Sequence, residues 1–218
     1  MELIHAFNRG ADKRIIFMDE RDRIRFVHDM YEFNDLRPAI NTAHGLHIDV
    51  RRRYMRKRER IVTIHGWCLM KNHYHLLLSE EVDGGITTFL RKLNGGYTKY
   101  INEKYRRQGV LFQGKTKRKL IDSESYFLHI LHYIHLNPLD YLQDARHWRK
   151  GSIARSDLAL AYLDKYRWSS YRDYCGTKNF PSLIETDLFS DVYGDYRKKI
   201  RRYVQEIDQV AITEISLE

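Results

Sequence analysis

The sequence predicts an α+β fold built around a central antiparallel sheet, and three observations predict it. Short runs rich in β-branched and aromatic residues recur through roughly the first half of the chain. The segments between them carry apolar residues at helical spacing behind recognisable caps. Two of the strand-like runs are separated by little more than the pair Lys71-Asn72, which suits a hairpin.

Taken in order, residues 2–8, ELIHAFN, read as a strand ended by the turn signal Asn8-Arg9-Gly10. Asp19 starts a helix whose apolar stripe is Ile24, Val27, Met30 and Tyr31, and which fades near Asn34, before Pro38. Residues 36–58 have no sustained apolar periodicity and are read as a basic insertion, a loop or a short helix. Residues 60–69, RIVTIHGWCL, and 73–79, HYHLLLS, form the strand pair. Asp83-Gly84-Gly85 opens a helix to about Tyr105, with Ile86, Phe89, Leu90, Leu93 and Tyr97 on its apolar face. Residues 116–121 form a strand. Ser123 caps a helix that reaches about Leu136 and is stopped by Asn137-Pro138. The order strand, helix, strand, strand, helix, strand is the split βαβ, ferredoxin-like pattern, with one additional helix behind it. Beyond Pro138, residues 139–165 read as loop and short helix, Arg167 to Tyr174 as a packed aromatic segment, and 187–210 as a basic amphipathic helix.

Composition narrows the partners. The chain of 218 residues is 43% hydrophobic and 31% charged, enough to bury a core. No apolar run approaches the roughly 18 residues a membrane helix needs, and MELIHAFNRG lacks a signal-peptide pattern. The expectation is a cytosolic, nucleoid-associated protein without a membrane partner. Cys68 and Cys175 make neither a disulfide framework nor a zinc motif. The 38 basic against 29 acidic residues leave a formal net charge of +9, which favours a polyanion. The basic residues cluster: RRRYMRKRER at 51–60, KTKRK at 115–119 and RKKIRR at 197–202.

Three features carry chemistry. His73 and His75 are two apart on a strand, so both imidazoles face the same way and can share a divalent ion, while Tyr74 faces the opposite side. Tyr133 and Asn137 are four apart on a helix, which sets a phenol beside an amide oxygen able to complete a site for a hard cation. The basic clusters suit a phosphate backbone. Singly, each has a plainer reading: ordinary histidines, an aromatic core residue before an Asn-Pro stop, and a solvated charged face. Together they fit one reaction. Two histidines and an amide hold Mg²⁺ or Mn²⁺ at a phosphate, and Tyr133 attacks it to form a covalent link.

At these residues the chain resembles the HUH single-tyrosine transposases, in particular the REP-associated tyrosine transposases. The matching segments, in order, are HAFNRG, GWCLMKNHYHLLL, GYTKYINEKYRRQGVLFQGKTKRKLI, YIHLNP and YRWSSY, over roughly residues 2–175. The resemblance implies a ferredoxin-like fold, His73, His75 and Asn137 as metal ligands, and Tyr133 as nucleophile. It implies a 5′-phosphotyrosine intermediate, a free 3′-hydroxyl and single-stranded, often hairpin-bearing DNA as substrate, handled by a monomer or homodimer. The DNA contacts expected are Asn8, Arg9, Arg51, Arg52, Arg53, Arg56, Gln113, Lys115, Lys117 and Arg118. The domain division expected is a catalytic domain over 1–140 and an extension over 141–218 that packs on it, with a candidate DNA-binding tail.

Lys71 stands where the family usually has Pro, and Leu139-Asp140-Tyr141-Leu142 where Val-Arg-Ala-Gly is common. The gap from there to Trp168 is longer than usual. Tyr126, seven residues before Tyr133, is expected about 10 Å away along the helix axis. His132 and His135 are expected to pack or face solvent. Two rival readings stay open: a domesticated nucleic-acid-binding protein without catalysis, and a metal-dependent nuclease that activates water.

Overall fold

The computed structural model describes residues 1–38, 58–151 and 153–206. Its sheet has four strands, β1 (Leu3–Arg9), β2 (Val62–Leu69), β3 (His73–Glu80) and β4 (Lys117–Leu120), in the order β2-β3-β1-β4 with every neighbouring pair antiparallel. Helix α1 (Glu20–Glu32) follows β1, and α2 (Gly85–Lys104) follows β3. This is the split βαβ arrangement.

Helices α1 and α2 cover one sheet face, where Ala6, Tyr74, Leu76 and Leu78 meet Phe26, Met30, Phe89, Leu93 and Tyr97. Asp19 caps α1 and forms a capping box with Asp22. The stripe of α1 differs from the sequence expectation: Ile24 is 49% exposed, while Phe26 is buried. Two buried acids of α1 are partnered. Asp22 accepts from Tyr105 Oη at 2.8 Å and Lys104 Nζ at 2.6 Å, tying α1 to α2. Asp29 pairs with Arg25 at 2.8 Å.

The other face carries α3 (Glu124–Leu136), capped by Ser123, whose side chain accepts from Tyr126 N. Eight of its residues are buried, including the consecutive run from Ile130 to Leu136. A helix buried all round must be covered on both sides. The sheet covers one, and α4 (Ser156–Lys165), α5 (Tyr171–Tyr174), α6 (Asp187–Tyr193) and α7 (Tyr196–Gln205) cover the other. Leu3, Cys68, Leu77, Leu131, Trp148, Tyr171 and Ile200 therefore share one core, so residues 141–206 pack on α3. The single helix expected over 187–210 is two helices, because Gly194 takes φ 60° and Asp195 recaps the chain by accepting from Lys198 N.

Gly66 fixes how close α3 comes. It sits where the β2–β3 register shifts, and a Cβ there would lie 2.9 Å from Leu131 Cδ1. Behind α3, His132 Nδ1 lies 3.1 Å and His135 Nδ1 2.7 Å from Tyr196 Oη, and His135 Nε2 lies 2.8 Å from Ser170 Oγ. Both histidines pack away from the sheet, in line with the packing expectation.

Two outcomes follow from this packing. Gly66→Val should destabilise the fold by about 1–3 kcal/mol through overpacking against Leu131, measurable by urea denaturation; an unchanged midpoint would contradict the close approach. The second concerns pH. Burial holds His65 down to about 4, and burial with His129 and Lys199 holds His132 down to about 3. Both are neutral in the fold and charged in the unfolded chain once pH drops below roughly 6.5. Their stability contribution is thus complete above that pH and shrinks as pH falls toward the folded values. Between pH 7.5 and 5 the loss should be about 1–2 kcal/mol for each, read as a falling melting temperature; a flat profile would contradict it.

Candidate active site

Strand alternation places His73 and His75 on the α3 face of β3 and Tyr74 on the opposite face, where its hydroxyl donates to Asn94 Oδ1 at 2.8 Å. Burial pushes that phenol up to about 12. The rings of His73 and His75 lie 5.1 Å apart, nearly perpendicular. His73 Nδ1 meets Asn72 Oδ1 at 2.7 Å. The β2–β3 turn is held from outside: Lys71 N donates to Tyr141 Oη at 2.6 Å and Tyr166 Oη to Leu69 O at 2.7 Å.

A third histidine joins the pair. In the β1–β3 register His5 stands opposite Leu77, diagonal to His75 on the same face. His5 Nε2 lies 2.9 Å from His75 Nδ1, with the rings stacked. The sequence marks His5 only as the first residue of the matching segment HAFNRG and gives it no role, because its partner is 70 residues away and only the register joins them.

Tyr133 closes the cluster from α3. It is 1% exposed, and its ring lies 5.8 Å from that of His75, 5.9 Å from His5 and 5.6 Å from Trp148. The structure thus brings the phenol and the histidine pair together. Tyr126, expected about 10 Å along the axis from Tyr133, also reaches the cluster: its Oη faces His5 Nδ1 at 3.4 Å.

Asn137 sits at the end of α3. Its Nδ2 donates back to Tyr133 O at 2.8 Å, and its Oδ1 accepts from Arg149 Nη2 at 2.6 Å. Arg149 also donates to Asp140, which accepts from the Trp148 indole N–H at 2.8 Å. The guanidinium stands 5.6 Å from the Tyr133 ring centroid and 4.4 Å from that of Trp148. Both residues belong to the segment after Pro138 that has no readable periodicity. Among the described residues there is no group of three or more His, Cys, Asp or Glu side chains arranged to hold a metal ion. A metal site would draw on imidazole and amide together.

The expected DNA contacts divide by strand alternation. Lys117 Nζ lies over Phe7 at 5.7 Å and Lys119 Nζ over Tyr126 at 4.4 Å, so both stand on the histidine face. Lys119 was not among the expected contacts. Arg9 is opposite His73 on that face. Arg118 faces the other way and donates to Thr87 Oγ1 at 2.9 Å, and Asn8 likewise donates to Thr116 Oγ1 at 3.2 Å. Gln113 and Lys115 are exposed, with Gln113 N donating to Arg9 O at 2.7 Å. Arg51, Arg52, Arg53 and Arg56 lie outside the described residues.

Residues 48–137 match the family described as "Transposase IS200 like". The match includes both histidines, all of α2 and α3, and ends on Asn137. The match spans 90 of the 218 residues, and over that stretch the chain is similar to the IS200-like transposases. No curated protein sequence matches it. A solved structure titled as the REP-associated tyrosine transposase bound to a REP hairpin is similar at 14% identity and TM-score 0.48, over 86% of each chain. Strand β1, helix α1 and the layer from 138 to 206 lie outside the family match, although β1 supplies His5 and the layer supplies Arg149. No helix among the described residues is long and apolar enough to cross a membrane.

Proposed function

We propose that the chain cleaves and rejoins single-stranded, hairpin-bearing DNA through a 5′-phosphotyrosine intermediate, with Tyr133 as nucleophile. The observation that carries this reading is the convergence of one phenol and a histidine pair, from a helix and a strand, in one cluster. Tyr133 Oη attacks the phosphorus; a P–O bond forms to the phenol and the bond to the 3′-oxygen breaks. The phenol proton passes to water, and the departing 3′-oxygen takes a proton from water. A 3′-hydroxyl of a second strand reverses the step. The phosphodiester energy is conserved throughout, so joining needs no ATP.

The donor set fits a divalent ion, Mg²⁺ or Mn²⁺, which when bound polarises the scissile phosphate. Asn72 Oδ1 can only accept, so His73 carries its proton on Nδ1 and offers Nε2 as the ligand. His5 does the same service for His75, holding its Nδ1 and leaving Nε2 for the ion. Asn137 Oδ1 is the third donor, available once Arg149 is drawn off it. Lys117 and Lys119, beside the cluster, would follow the DNA backbone.

Tyr133→Phe should abolish cleavage of labelled single strands in Mn²⁺ while binding measured by mobility shift stays within about threefold of the wild type; cleavage at full rate would refute the assignment. His5→Phe, which keeps a ring but loses the contact to His75, should weaken Mn²⁺ binding about 10–100-fold by calorimetry. Unchanged affinity would remove His5 from the metal-orienting role.

A further inference from the structure

Arg149 has more in its favour than a structural latch needs. Its guanidinium stands over the Tyr133 ring, at 5.6 Å. Its side chain is 22% exposed, so it borders solvent as well as the phenol. Asp140 orients it from one side and Asn137 Oδ1 occupies its Nη2 at 2.6 Å. Trp148 packs against its guanidinium at 4.4 Å, and the Trp148 indole is anchored to the same Asp140. With Nη1 held by Asp140, the Nη2 end of this fixed guanidinium is the part that can pass from Asn137 to a phosphate oxygen.

We propose that Arg149 is a catalytic residue whose Nη2 passes to a non-bridging oxygen of the scissile phosphate and stabilises its charge while Tyr133 attacks. The inference rests on the transposase reading and adds a residue to it. A phosphodiester placed for attack by Tyr133 Oη lies beside the ring over which the guanidinium stands. A neutral amide oxygen holds Arg149 in the absence of DNA, and a charged phosphate oxygen is the stronger acceptor, with bonds roughly twice as strong. The exchange therefore favours the substrate. The anchor at Asp140 is retained, so the cation arrives oriented, as electrostatic stabilisation of a transition state requires.

The test uses the full chain and a single-stranded oligonucleotide that the wild type cleaves. Arg149→Ala should slow formation of the covalent adduct about 100-fold at saturating DNA, with circular dichroism unchanged. Arg149→Lys, a point charge without the fork, should recover part of that rate. The deciding comparison is an oligonucleotide with an uncharged methylphosphonate at the scissile position. There the gap between wild type and Arg149→Ala should shrink below threefold, since no charge is left to neutralise. An equal loss on both substrates would make Arg149 structural only and overturn the proposal. If Arg149→Ala does not fold, Arg149→Lys on the same two substrates makes the same comparison. A wild type that forms no adduct on any single strand overturns the transposase reading itself; a wild type that does, beside an Arg149→Ala of equal rate, overturns only this inference.

Discussion

The contact on which the rest depends is the packing of α3 across β2 and β3, with the Tyr133 ring set edge-on against His75 and His5. A buried phenol between imidazoles is a costly arrangement unless its neighbours are fixed, because polar groups removed from water must find partners. Here the surroundings fix them. Gly66 admits Leu131 where a side chain would block it, and Asn72 and His5 each hold one imidazole nitrogen. The chemistry of the cluster is set by how little any of these groups can turn.

The layer over the back of α3 has the complementary task. The α3 helix is buried on every side, and its outward histidines, His132 and His135, meet a single tyrosine hydroxyl from α7. The same layer sends Tyr141 and Tyr166 to the β2–β3 turn and Arg149 and Trp148 to Tyr133. The C-terminal segment thus touches the strand that carries the histidines as well as the helix that carries the phenol.

What the sequence made legible was what period and local chemistry encode. Alternation in HYH put two imidazoles on one face, and the four-residue step from Tyr133 to Asn137 put a phenol and an amide on one helix edge. Asp19 and Ser123 marked helix starts that the structure keeps. What stayed hidden depends on register between distant segments. His5 gains its meaning only from the pairing of β1 with β3. Phe26 and Ile24 exchange places in the α1 stripe because Asp22 turns inward to Lys104 and two tyrosines. Arg118 and Asn8 lose their places beside the site to alternation, while Lys119 gains one. Arg149 and Trp148 lie in a stretch of short 3-10 turns with no period to read.

The central claim is that a helix delivers Tyr133, and no other of the chain's 16 tyrosines, to a phosphate held at the histidine pair. Tyr126 is the nearest rival, since it touches His5 from the same helix. The most direct measurement is to incubate the protein with labelled single-stranded DNA and Mn²⁺, digest the covalent adduct with protease, and locate the DNA-bearing residue by mass spectrometry. A phosphotyrosyl-DNA peptide modified at Tyr133 is the expected product. An adduct on Tyr126, or cleavage without any protein-linked strand, would contradict it.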